Sequence, residues 1–228
     1  LMGVERDFWV SPSGEVWALS RMNRAEGAMR YAGLVEQNEK LIARLVAAAA
    51  SRPRSFEACA ALSFAEKAAS LTDSYAMLLS VLRPEGGFRS PSYGGAAAIK
   101  ARLREEARGI VVKTRVTGNA GGAAQRAFTQ ALTSRGYRTG EKGGYTLLAD
   151  CRIEDSPQTG SDFVYVSLML QAELKDSSGE RLFAWQETER QGHRLREQAR
   201  ERGLRKAEEI ITETGFAPAF DAWLLSLL

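Results

Sequence analysis

The stretch Val164-Tyr165-Val166-Ser167-Leu168-Met169-Leu170-Gln171-Ala172-Glu173-Leu174-Lys175 places Val164, Val166, Leu168, Leu170, Ala172 and Leu174 in phase. A period of two predicts a strand with one face in a core and the other in water. Downstream, Asp176-Ser177-Ser178-Gly179 has the residues of a hairpin turn, and Arg181 to Glu189 returns as the partner strand. Upstream, Tyr145, Leu147, Ala149, Cys151 and Ile153 alternate in the same way, so three strands form a meander. Arg152, Glu154, Gln171 and Glu173 fall on the outward face as ordinary solvated residues.

Working outward, Ile110 to Val116 reads as a further strand, and Gly118-Asn119-Ala120-Gly121-Gly122 turns from it into a helix. That helix carries Ala124, Phe128, Ala131 and Leu132, and Gly136 is placed to end it. Ile99, Leu103 and Ala107 mark a short helix before the strand. A last helix runs from about Leu195 through Ala199, Ala207, Ile210 and Ile211, with Gly215 and Pro218 interrupting it before Phe220, Trp223, Leu224 and Leu227. The order β-α-β-β-β-α predicts an α+β layer domain over 110–228. Pro84 to Gly95 (PEGGFRSPSYGG) is the clearest break, and 84–109 reads as linker and short helix.

Residues 23–83 read as a long antiparallel helical hairpin. Tyr31, Val35, Ile42, Leu45 and Ala49 form one stripe with Asn38 in the gap, and Arg52-Pro53-Arg54-Ser55 makes the break. In the second arm, Ala61, Phe64, Ala68, Leu71, Tyr75, Leu78 and Leu82 alternate steps of three and four, which predicts a coiled-coil seam. Residues 1–22 form a β-hairpin: Phe8-Trp9-Val10, a turn at Ser11-Pro12-Ser13-Gly14, then Val16-Trp17-Ala18-Leu19. Two strands alone are barely stable in water, so this hairpin requires a cover: the chain's own sheet, or a domain preceding it.

Composition narrows the chemistry. The chain has 228 residues, 31 Lys plus Arg against 28 Asp plus Glu, a net charge of +3, one His and two Cys. A near-balanced charge with Arg scattered along the chain gives no case for nucleic acid. One His and two Cys leave no Cys/His zinc module and no disulfide scaffold. Cys59 sits in an Ala-rich helix and Cys151 in a strand, so two buried free thiols are expected, a disulfide in an oxidising compartment being the alternative. The sequence carries no apolar run long enough to span a membrane and no signal peptide, which is absent or removed.

The segment Trp9-Val10-Ser11-Pro12-Ser13-Gly14-Glu15-Val16-Trp17-Ala18-Leu19 resembles the closing hairpin of the bacterial LPP-twenty lipoprotein family: an aromatic, a turn with Gly, and a strand with an aromatic followed by Ala and Leu. The match covers residues 7–22, and the remainder is similar to larger envelope proteins in layout only. The resemblance implies an exported protein of the periplasm or outer membrane, commonly anchored through a lipidated N-terminal Cys. No Cys lies near this start, so any membrane attachment would run through a segment not in the sequence. It further implies binding of protein partners, and it transfers no catalytic residue.

Neither G-x-S-x-G nor H-E-x-x-H occurs. His193 is the lone imidazole, with Glu187 or Asp150 as conceivable orienters, and the Gly118–Gly122 turn before a helix is the one place with the look of an anion site. It lacks the G-x-G-x-x-G spacing and the Lys-Ser/Thr of a P-loop, so a tight turn is the simpler account. Phe88 and Tyr93, aromatic residues in a linker, are the candidate partner contacts. The expectation is therefore a non-catalytic envelope scaffold for other envelope proteins, with self-association through the helical hairpin, and with no catalytic, cofactor or metal site. The competing expectation is a ligand binder or enzyme using a cleft between hairpin and sheet, built on His193 and the Gly118–Gly122 turn.

Overall fold

A computed structural model describes residues 4–83, 85, 91–156 and 163–228. The class is α+β, as the alternation patterns predict. Strands β1 (Val4–Val10) and β2 (Val16–Met22) form a two-stranded sheet. Helices α1 (Arg24–Ser51), α2 (Phe56–Leu82) and α3 (Gly95–Gly109) follow, then β3 (Val111–Thr117), α4 (Gly121–Thr133), β4 (Arg138–Thr139), β5 (Tyr145–Ser156), β6 (Val164–Lys175), β7 (Arg181–His193), α5 (Arg196–Glu209), a π-turn (Ile210–Thr214) and α6 (Phe216–Leu225). The second sheet has the order β4-β3-β5-β6-β7. Two compact units interleave along the chain: Leu1–Ser51 with Ala61–Leu103, and Arg52–Ala60 with Arg104–Leu228.

In the second unit the inward row of β6 (Val166, Leu168, Leu170, Ala172, Leu174) is buried, and so are Leu147, Ala149, Cys151 and Ile153 of β5. β5, β6 and β7 are antiparallel neighbours, while β3 runs parallel to β5 after the α4 crossover. Helix α5 approaches this face at Gly203, where a Cβ would stand 3.1 Å from Leu168 Cδ2 and 3.2 Å from Val166 Cγ2. The opposite face is solvated: Glu173 receives Lys175 at 3.3 Å and Arg181 at 3.4 Å, and Asp150 receives Arg152 at 2.8 Å. Asp176 closes the β6–β7 turn by accepting the Ser178 N–H and hydroxyl and the Glu180 N–H.

One end of the sheet is filled by rings. Phe56, 1% exposed, stands edge-on to Tyr145 at 4.6 Å, Tyr137 at 5.2 Å, Trp223 at 5.4 Å and Phe220 at 5.7 Å. Edge-to-face rings gain from their quadrupoles beyond the apolar area they bury. The first turn of α2 is set there by Ser55, whose Oγ accepts the Ala58 N–H at 3.1 Å. Arg54, with a positive φ of 58°, donates its N–H to the Glu106 carboxylate at 2.7 Å. Arg135 forks onto Asp221 at 2.6 and 2.7 Å and also reaches the Ala217 carbonyl, tying the end of α4 to α6.

In the first unit, Arg24 of α1 reaches the Val81 carbonyl of α2 at 3.0 Å and Tyr31 meets Tyr75 at 5.6 Å, so the two helices are antiparallel. The α1 stripe falls where its spacing places it, with Tyr31, Ile42 and Ala49 buried and Val35, Asn38 and Leu45 half-buried. The α2 seam does not. Phe64 and Leu71 are 44% and 48% exposed, whereas Leu62, Ala65, Ala69 and Thr72 are buried. Ala61 of the seam is buried and Tyr75, Leu78 and Leu82 are half-buried, so it is at Phe64 and Leu71 that the heptad series turns outward. Among the described residues no helix is long and apolar enough to cross a membrane.

Phe56→Ala is expected to destabilise the second unit by about 3–5 kcal/mol, because it empties a site lined by rings that cannot collapse onto it. Leu71→Asp is expected to leave the melting temperature close to that of the parent. Thermal unfolding of both variants checks this assignment, and equal losses would contradict it.

Candidate functional site

The β1–β2 hairpin is in full register from Val10↔Val16 to Val4↔Met22. Its turn is closed by Ser11, whose N–H donates to the Glu15 carbonyl at 2.8 Å and whose Oγ accepts the Glu15 N–H at 3.1 Å. Alternation sorts the side chains into two faces. One presents Phe8, Val10, Val16 and Ala18, with Arg6 and Ser20 at its base. The other presents Trp9, Trp17 and Leu19, with Glu5, Asp7 and Arg21 at its base. Trp9 and Trp17 stack at 6.5 Å with their planes 10° apart. Arg21 pairs with Glu5 at 3.0 Å and Asp7 at 3.4 Å.

The six large apolar side chains of the hairpin range from 46% exposed at Leu19 to 75% at Val16. Both faces are open. The hairpin is nevertheless joined to α1 without a linker. Asn23 caps α1, its Oδ1 accepting the Ala25 N–H at 3.0 Å and the Glu26 N–H at 3.3 Å. Met22, the residue before the cap, lays its Sδ over Gly27, where a Cβ would be only 2.6 Å away. This arrangement holds an apolar two-stranded blade at the start of a 28-residue helix. Contiguous exposed apolar surface of this kind marks interaction sites.

The residues singled out from sequence lie elsewhere. Tyr93 is half-buried with its hydroxyl enclosed, and burial followed by the Asp73 and Glu39 carboxylates holds the phenol above its usual range. Phe88 lies outside the described residues. His193 ends β7 and accepts the Leu195 N–H on Nδ1 at 3.1 Å. The Gly118–Gly122 turn is a structural joint. A Cβ on Gly118 would stand 2.1 Å from the Cys151 carbonyl, and Asn119 exchanges two 2.8 Å hydrogen bonds with the Ile153 backbone, continuing the ladder past the end of β3. Ile153 is in register with Leu168 and Glu189, so His193 is two strands away and four residues, about 13 Å, further along. Asp150 is turned to the solvated sheet face, where it accepts the Thr117 hydroxyl, and Glu187 lies against Gly215. These groups are not gathered into one constellation. Among the described residues no three or more His, Cys, Asp or Glu are grouped to hold a metal ion.

A shallow depression of about 450 Å³ lies on the solvated sheet face, lined by Arg115, Leu148, Asp150, Gln171 and Glu173. Asp150 and Glu173 are already engaged in ion pairs there. The exposed aromatic pair Trp9/Trp17 was visible in the sequence as a strand signal. What marks it as a candidate site is its exposure on both faces among the described residues, which alternation cannot report.

Comparison with known proteins is sparse. No family model and no curated protein matches the chain, so the similarity to the LPP-twenty family remains one of residues 7–22. Among solved structures, one similar to the chain is a Xanthomonas campestris protein of family DUF330, with 13% identity and a TM-score of 0.38 over 50% of this chain and 87% of that one. A minor lipoprotein from Acinetobacter baumannii has 11% identity and a TM-score of 0.37 over 51% and 90%. The PelC dodecamer from Paraburkholderia phytofirmans has 21% identity and a TM-score of 0.34 over 47% and 86%.

Both cysteines are free and buried. Burial, then the field of Glu106, pushes the Cys59 thiol up to about 12, and burial followed by Asp150 does the same for Cys151. The folded chain is therefore expected to leave both thiols unmodified by a thiolate-seeking disulfide reagent at pH 8, and to react at both once unfolded in guanidinium. Because the folded thiols keep their protons to about 12 and the ordinary value is 9.0, their stabilising contribution is complete below pH 9 and is lost as pH rises from there. Reaction of either thiol in the folded chain would contradict the assignment.

Proposed function

We propose that this chain is a non-catalytic protein of the bacterial envelope that serves as a scaffold for protein partners. The observation that carries the reading is the β1–β2 hairpin, apolar on both faces, uncovered among the described residues and followed directly by the Asn23 cap of α1. A pair of strands gains too little from itself to persist with six large apolar side chains in water, so a partner's surface is the natural complement. Protein fits this hairpin better than hydrocarbon does. Both strand edges carry unpaired N–H and C=O groups that lipid does not satisfy, and the tip Ser11–Glu15 is polar. The exposed Phe64 and Leu71 of α2, and Met77 and Val81 further along it, supply further apolar surface for partners or self-association. Placement in the envelope rests on the resemblance of Trp9 to Leu19.

Photo-crosslinking tests the reading. Benzoylphenylalanine in place of Val16, in chain mixed with bacterial envelope extract, is expected to give protein adducts of discrete mass. The same probe at Ser178, on the β6–β7 turn, is expected to give none. Equal labelling at both positions, or none at Val16, would overturn the proposal.

A further inference from the structure

We draw no further inference here: the strongest candidate, the solvated face of the β3–β7 sheet with its depression lined by Arg115, Leu148, Asp150, Gln171 and Glu173, has both carboxylates already engaged in ion pairs, and nothing in the structure shows what covers it.

Discussion

Phe56 in its cage of Tyr137, Tyr145, Phe220 and Trp223 is the contact on which the second unit depends. The ring belongs to the first residue of α2, yet its surroundings come from the segment before β4, from the start of β5 and from α6. A segment of nine residues, Arg52–Ala60, is thereby part of an α+β unit whose remaining residues begin at Arg104. The sheet supplies a flat apolar face, α4 and α5 cover its middle, and the aromatic cluster closes its end. Ser55, Glu106 and the Arg135–Asp221 fork then fix the backbone around the cluster through hydrogen bonds to groups that would otherwise be left unpaired.

With that core complete, the chain's uncovered apolar surface stands out by contrast. Apart from Met22 over Gly27, the described side chains of strands β1 and β2 are exposed on both faces of the hairpin. Under the proposed function, the blade is completed by a partner's surface.

Much of this fold was legible because strand and helix periods are set by one buried face. The β5–β7 meander, the α1 stripe and the Asp176 turn all follow from that. The α2 seam of Ala61, Phe64, Ala68, Leu71, Tyr75, Leu78 and Leu82 departs from its spacing at Phe64 and Leu71, which are exposed, while Ala65, Ala69 and Thr72, which carry little hydrophobic signal, are buried. β4 has two residues and no pattern to detect. Asn119 reads as a turn residue, and only the fold reveals that its amide stands in for a strand residue against Ile153. The hairpin was readable as two strands, but Phe8-Trp9-Val10 is apolar on both faces, a pattern shared by a fully buried strand. Its exposure is a property of what surrounds it, and sequence does not carry that.

The central claim is that the core closes without the hairpin, which is left for a partner. Residue-resolved hydrogen exchange on the dilute, monomeric chain measures this directly. Amides of β5, β6 and α4 are expected to exchange only through global unfolding, and those of β1 and β2 orders of magnitude faster. Protection of β1 and β2 equal to that of β5 in the dilute chain would mean that the hairpin is already covered, and would contradict the account.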